Sequence, residues 1–434
     1  MGQYLSTPST EKHSEDGAGG IMEYGASAMQ GWRLSMEDAH ISNPSVADGR
    51  GVFAVFDGHG GAEVALFCEK HLTEELLNLA EYKEERFDAA LTRVFHRMDE
   101  MILSPTYDKE LEKLKKERPY GEKRVQNNDP PEDPPEADAE ENDSSPKKAD
   151  SDKAENSTGE NNSEQDARGE EARNVRLQLE EGMQAYLQNL RDARSNAQAN
   201  NNGQGTIILP YGRSEDDQKA AESNNEGGGQ SNFPQNISFS YMLEEQQCNL
   251  PDHKITAGCT AVVALVVDRE IIVANAGDSK AVLCRGGKAI GLSFEHKPFN
   301  DIEKRRIEAA GGFVSPAGRV NNNLNLSRSI GDLKYKGNKS IPPKDQMITS
   351  EPDICREKIE PEDEFMVIAC DGVWDIMENQ ECVDFIRQRI GVPGKKLSEI
   401  CEEIFTLCLA QDPKSTSGLG GDNMTAVIVR FKHE

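Results

Sequence analysis

Val52-Phe53-Ala54-Val55-Phe56-Asp57-Gly58-His59-Gly60-Gly61 is an unbroken apolar run that stops on a carboxylate and then on glycine. Apolar residues in a row, without polar alternation, indicate a strand covered on both faces. Asp57 then stands at a buried strand end, where a charge has no structural benefit unless a cation compensates it. The same grammar recurs where Phe365-Met366-Val367-Ile368-Ala369-Cys370 runs into Asp371-Gly372. Further acids lie in Asn275-Ala276-Gly277-Asp278-Ser279, in Gly421-Asp422-Asn423-Met424-Thr425, and in Glu37-Asp38 after Trp32-Arg33. Taken singly, each aspartate reads as a turn or helix-cap residue. Taken together, they are expected to converge at sheet ends around hard divalent cations.

Outward from that strand, residues 50–57 and 260–283 alternate short Val/Ile/Ala-rich runs with Gly or Asp breaks, the pattern of strands and turns. Apolar residues fall at helical spacing over 62–78 and 86–103, and again over 302–310 before the stop Gly311-Gly312, over 380–390 and over 397–409. Strands come in runs and helices in pairs, so an α+β sandwich is expected rather than an alternating parallel sheet.

The chain has 434 residues, enough for a sizeable core, but only 36% are hydrophobic. The deficit is local. Residues 104–250 hold 31 Asp and Glu against 17 Lys and Arg, and few aliphatic clusters. Such a composition does not offset an ordering entropy of about 1–2 kcal/mol per residue, so most of the segment is expected to be disordered. The organisation read from the sequence is an N-terminal extension (1–20), a first globular part (21–103), an acidic low-complexity insert (104–250) and a second globular part (251–434). Within the insert, Val175, Leu177, Leu179, Met183, Tyr186, Leu187 and Leu190 would share one helix face, as a transient helix or a docking helix.

Nine cysteines are scattered without CxxC spacing, which suits a reducing compartment, the cytoplasm or the nucleus. No secretory leader and no apolar stretch of about 18 residues is seen, so neither secretion nor a membrane span is expected. A formal net charge of −28 disfavours direct nucleic-acid binding and favours basic protein partners. Met1-Gly2-Gln3-Tyr4-Leu5-Ser6 fits the pattern for N-myristoylation of Gly2. One such chain without a polybasic patch gives at most weak membrane association. Lys115-Lys116-Glu117-Arg118 with Lys123-Arg124 reads equally as a broken nuclear-import signal or a solvated helix end. A monomer is expected.

An acidic cluster of this kind suits phosphate-ester hydrolysis. A phosphate monoester repels hydroxide, and two divalent metals offset that repulsion and activate water. Such a site needs a bridging carboxylate, for which Asp57 is the best candidate, and Gly58 allows its carbonyl to approach a metal closely. His59 would ordinarily be a polar turn residue; beside a metal pair it becomes a candidate general acid for a Ser or Thr leaving oxygen. Arg33 is a surface arginine or, near Glu37, the planar fork that grips phosphate oxygens.

Met29-Gln30-Gly31-Trp32-Arg33-Leu34-Ser35-Met36-Glu37-Asp38-Ala39-His40, Asp57-Gly58-His59-Gly60-Gly61, Gly277-Asp278-Ser279, Leu326-Ser327-Arg328-Ser329-Ile330-Gly331-Asp332, Ala369-Cys370-Asp371-Gly372-Val373-Trp374-Asp375 and Asp422-Asn423-Met424 occur in this order. They resemble the motifs of the metal-dependent Ser/Thr protein phosphatases of type 2C, over about 21–103 and 254–431. The acidic insert and the N-terminus are similar to the gamma form. The resemblance implies a four-layer α-β-β-α sandwich of two antiparallel sheets flanked by helices, with two Mg2+ or Mn2+ ions in a cleft at one edge and a weaker third. It implies that Asp57 bridges the metals, that Glu37 and the Gly58 carbonyl bind one and Asp371 and Asp422 the other, and that Asp278 with Asp371 forms the third position. Arg33 would hold phosphate, His59 would protonate the leaving group, and Asp38 would orient water. Residues 296–319 would form a flap over the cleft, and phosphoserine and phosphothreonine proteins would be the substrates.

Two positions depart from the family pattern: Glu295 stands where Asp is usual and Lys280 where Arg is usual, which puts flap geometry in question. The alternative function is a non-catalytic acidic binding or chaperone-like protein on a phosphatase scaffold. The complete set Arg33, Glu37, Asp57, His59, Asp278, Asp371 and Asp422 favours the enzyme. Metal-dependent nuclease activity is disfavoured by the negative charge.

Overall fold

Strand β4 (Arg50–Phe56) shows why its sequence is apolar on both faces. Val52, Ala54 and Phe56 pack on the helix side, whereas Phe53 and Val55 enter a core between two sheets. The computed structural model describes residues 4–47, 49–117 and 254–433, all of which belong to one compact unit. A second unit, 124–237, lies outside the described residues, as does the helix face expected between Val175 and Leu190.

One sheet runs β12 (Asp353–Lys358), β8 (Glu270–Ala276), β7 (Ala261–Val267), β4, β3 (Ala39–Ala47). The other runs β1 (Tyr4–Gly19), β2 (Met22–Arg33), β14 (Met424–Phe431), β13 (Asp363–Ala369), β9 (Lys280–Arg285), β10 (Lys288–Gly291). Neighbours in both are antiparallel. Met22, Phe53, Val262, Ile271, Leu283, Met366 and Val427 fill the space between them. Helices α1 (Glu63–Asn78) and α3 (Phe87–Leu103), with the short α2 (Ala80–Lys83) and α4 (Asp108–Leu114), cover the first sheet. Helices Asn379–Ile390 and Leu397–Cys408 cover the second. The four-layer α-β-β-α sandwich is therefore present. A third, small sheet joins β11 (Ile330–Gly331), β6 (Gly258–Cys259) and β5 (Gly58–His59).

Two boundaries move. Residues 4–19 are no mere extension: β1 pairs along β2, and Asp16 accepts hydrogen bonds from the Ser398 backbone N (3.0 Å) and hydroxyl (2.6 Å) in the first turn of the last helix. An acid at that end is favoured by the helix's unpaired amides. Residues 105–114 are not disordered either. They form a 3-10 turn and α4, and Leu111 and Leu114 are buried among the helices. The rest of the segment expected to be disordered lies from 118 onward, outside the described residues, as does Gly2. Among the described residues no helix is long and apolar enough to cross a membrane. Their eight cysteines are free thiols, seven of them buried.

Candidate active site

Antiparallel register brings the acids to one edge of the sandwich. Ala369 pairs with both Ala426 and Lys280, Met424 pairs with Met29, Ala261 with Ala276 and Phe56 with Ala39. The ends of β2, β4, β8 and β13 and the start of β14 thus lie together. They carry Arg33, Asp57, Asp278, Asp371 and Asp422, with Glu37 and Asp38 in the loop before β3.

Crowding and desolvation mark the cluster. Burial, reinforced by Asp371, Asp38, Asp422 and Asp278, pushes the Asp57 carboxyl well above its usual range. Burial, reinforced by Asp278, Asp422 and Asp375, does the same to Asp371. Asp38, 1% exposed, is pushed up to about 7, chiefly by burial and against a hydrogen bond from Thr425 (2.7 Å) to its Oδ2. Its Oδ1 is buried without a hydrogen-bond partner. Carboxylate oxygens of Asp38 and Asp57 and the Cys370 sulfur lie within 4.8 Å of one another.

The backbone is shaped for close approach. A Cβ at Gly58 would stand 2.1 Å from the Glu37 carbonyl oxygen, so only glycine fits beside that loop. The Glu37 carboxylate accepts from Ser35 Oγ (2.8 Å) and from Gly61 N (3.3 Å). Asn423 ties the loop to Asp422: its Oδ1 accepts from Glu37 N (3.0 Å), and its amide donates to the carbonyls of Gln30 (2.8 Å) and Ser35 (3.0 Å).

Two cations reach into the cluster. Arg33 donates to Asp422 Oδ2 at 2.5 Å, with the arginine side chain 46% exposed. Lys297 donates to the buried Asp278 at 2.6 Å. The six carboxylates Glu37, Asp38, Asp57, Asp278, Asp371 and Asp422 exceed these two charges. The surplus of carboxylate oxygens, beside a Cys370 thiol that burial keeps protonated, and the orphaned Asp38 Oδ1 fit hard divalent cations.

His59 meets the cleft from β5. Its Nε2 is 2.7 Å from Asp332 Oδ2, and although burial acts to lower the imidazole, Asp332 prevails and holds it above its ordinary value. The two departures from the family pattern meet each other: Lys280 Nζ and Glu295 Oε1 are 2.9 Å apart, with Lys280 over the Trp374 ring. A base shorter than Arg and an acid longer than Asp thus pair with each other here. The sequence motifs contained Asp332, Asn423 and Thr425, but they showed no role for them, because each acts on a partner distant in sequence.

The family model for protein phosphatase 2C matches residues 22–118 and 153–417. Probable protein phosphatase 2C 21 of Arabidopsis thaliana is 34% identical over 435 residues, covering 100% of this chain and 93% of the relative. Protein phosphatase 1G of Homo sapiens is 36% identical over 510 residues, covering 100% and 93%. The crystal structure of a phosphatase from Toxoplasma gondii shares the fold, with a TM-score of 0.53 and 16% identity over 98% of this chain and 96% of that one. With the strand-end acids on one edge of a two-sheet sandwich and relatives along its whole length, the chain belongs to the protein phosphatase 2C family, the metal-dependent serine/threonine protein phosphatases.

Proposed function

We propose that the chain hydrolyses phosphoserine and phosphothreonine in proteins with two Mg2+ or Mn2+ ions held by the strand-end carboxylates, and a weaker third beside Asp278 and Asp371. The observation that carries this reading is the convergence of six carboxylates, four from separate strand ends and two from the loop before β3, more than Arg33 and Lys297 neutralise. Bound there, the cations would offset phosphate charge and acidify water. Asp57 would bridge them, Glu37 and the Gly58 carbonyl would hold one, and Asp371 and Asp422 the other. Arg33 would exchange its Asp422 contact for the phosphate, where its fork matches two oxygens. Asp38, held through one oxygen by Thr425, keeps the other to orient water. His59 would give its proton to the Ser or Thr oxygen as the P–O bond breaks.

The test is turnover of a phosphothreonine peptide by the purified chain with Mn2+, Mg2+ or EDTA. Activity should appear only with metal, and full activity in EDTA would overturn the reading. The acidic segment is proposed to recruit basic proteins, given the 28 acidic against 13 basic residues of 118–253. Replacing 118–253 with a Gly/Ser linker should spare folding and small-substrate turnover, since each doubling of loop length costs only about 0.6 kcal/mol. It should weaken salt-sensitive binding to a histone, because exposed charges attract over only about 8 Å at physiological ionic strength. Equal histone affinity at low salt would make the segment a passive tether. Myristoylation of Gly2 would add weak membrane association and leave a cytoplasmic or nuclear location.

A further inference from the structure

We infer that Asp332 is a positioning residue for the reaction: it holds the His59 ring through Nε2 and leaves Nδ1 to deliver the proton to the leaving oxygen. This deepens the reading of His59 as the general acid and depends on it.

The small third sheet is what makes the contact. Gly258 pairs with His59 on one side and with Gly331 on the other, so the residue after β11 arrives beside the imidazole. Asp332 Oδ2 then lies 2.7 Å from His59 Nε2 and accepts from Ser329 Oγ at 2.6 Å. Asp332 is 3% exposed and adopts a left-handed φ of 49°, a conformation that costs free energy in a non-glycine residue and persists where surroundings impose it. Those surroundings are visible. The Asp332 amide donates to the Ala257 carbonyl (3.1 Å), Gly331 N donates to Asp99 Oδ1 (2.8 Å), and Lys336 Nζ donates to Asp99 Oδ2 (2.6 Å) and the Ser329 carbonyl (2.7 Å).

Gly258 is the spacer. A Cβ there would lie 2.4 Å from Asp332 Oδ2 and 2.7 Å from His59 Nε2, so any side chain would wedge the pair apart. With Nε2 engaged, the proton leaves from Nδ1, the P–O bond breaks toward the ester oxygen, and the imidazole becomes neutral. Asp332 stays ionised throughout. A buried carboxylate that fixes ring orientation in this way removes freedom the imidazole would otherwise have to lose in the transition state.

A purely structural ion pair would lower stability and reduce all activities alike; a positioning role is selective. The experiment uses the full Mn2+-loaded chain as wild type, Asp332→Asn, His59→Ala and the double variant, with a phosphothreonine peptide and p-nitrophenyl phosphate, whose leaving group needs no proton. Asp332→Asn should lower kcat on the peptide about 10- to 100-fold, part of the ~10²–10⁴ a positioned acid contributes, with KM unchanged. The p-nitrophenyl phosphate rate should change by no more than about twofold, and the double variant should match His59→Ala, since residues acting as a unit are non-additive. Equal losses on both substrates, or multiplicative losses in the double variant, would overturn the inference. If His59→Ala itself shows no peptide-selective loss, the general-acid reading fails and this inference with it. Should Asp332→Asn not fold, Ser329→Ala serves in its place: a few-fold, peptide-selective loss absent from the His59→Ala background supports the inference, and a loss common to both substrates overturns it.

Discussion

Two buried acidic clusters lie within this fold, and their carboxyls are displaced in opposite directions. At the strand-end cleft, burial and mutual repulsion push Asp57, Asp371 and Asp38 up. In the segment 296–319, the flap expected from the sequence, burial also acts to raise Glu303, but Arg328 and Arg306 override it and bring the carboxyl down to about 2. Glu303, on the helix Asp301–Ala309, is gripped by Arg328 Nη2 (2.7 Å) and Arg306 Nη1 (2.7 Å). Arg328 also reaches Asp353 (2.7 Å), which meets His296 Nε2 at 3.0 Å. The Glu303 cluster is matched by its own countercharge, whereas the cleft sets only Arg33 and Lys297 against six carboxylates. Burial is common to both, so the difference lies in which one was left for a cation from outside.

The largest effect should come from removing a cleft acid. Asp57→Asn or Asp371→Asn should lower kcat by several orders of magnitude, because water activation depends on the metals. The metal-free protein should nonetheless be as stable as wild type or more so, since a repelling charge has gone. Chemical denaturation in EDTA checks this, and a destabilised Asp57→Asn variant would break the comparison.

Glu303→Ala should do the converse. It strands Arg328 and Arg306, 9% and 11% exposed, and should cost about 3–5 kcal/mol, the range for breaking a buried pair. Metal affinity at the strand-end cleft, read by calorimetry on the folded protein, should be little changed.

The pH dependence separates the clusters by sign. A raised carboxyl binds more protons in the folded than in the unfolded state, so its contribution worsens as pH rises from the unfolded value near 4 through the folded one. For Asp38 that window closes at about 7. His59, held above its ordinary value, acts in the same sense from about 6.5 upward. In EDTA the melting temperature should therefore fall between about pH 4.5 and 7, and Mg2+ should flatten the fall. Glu303 has the opposite sign. Its stabilisation is complete above about 4.5 and is lost as pH drops toward about 2. Glu303→Gln should leave the fall at neutral pH in place, whereas Asp38→Asn should shrink it.

The strand-end acids were legible because strands buried on both faces give unbroken apolar runs, and the residue that ends the run is conspicuous. Helices α1 and α3 showed for the same kind of reason, an apolar stripe. The N-terminal strand did not. In β1 most side chains are polar and none is buried, so Ser, Thr, Glu and Lys give no period to read. Helix α4 was lost in charged sequence because its burial depends on two leucines. Asp332 and His59 are 273 residues apart, and only the small third sheet makes them neighbours.

The smallest effect concerns the join between the clusters. Glu295 stands just before His296 of the flap network and Lys297 of the cleft, and it pairs with Lys280 at 2.9 Å, the two side chains 35% and 16% exposed. A partly exposed pair of this kind contributes about 0–1 kcal/mol. If it belongs with the self-compensated flap, what matters is that the gap be closed, not which residues close it. Lys280→Arg alone leaves a longer head against a longer acid, and Glu295→Asp alone leaves a shorter acid against the same lysine. Each should cost a few tenths of a kcal/mol, and the double variant should return to wild type, a coupling that a double-mutant cycle in thermal denaturation would read. Metal affinity should be flat across all four proteins. A metal affinity that follows the single variants would move this pair from the flap to the cleft, making Lys280 a third cation set against the acid cluster.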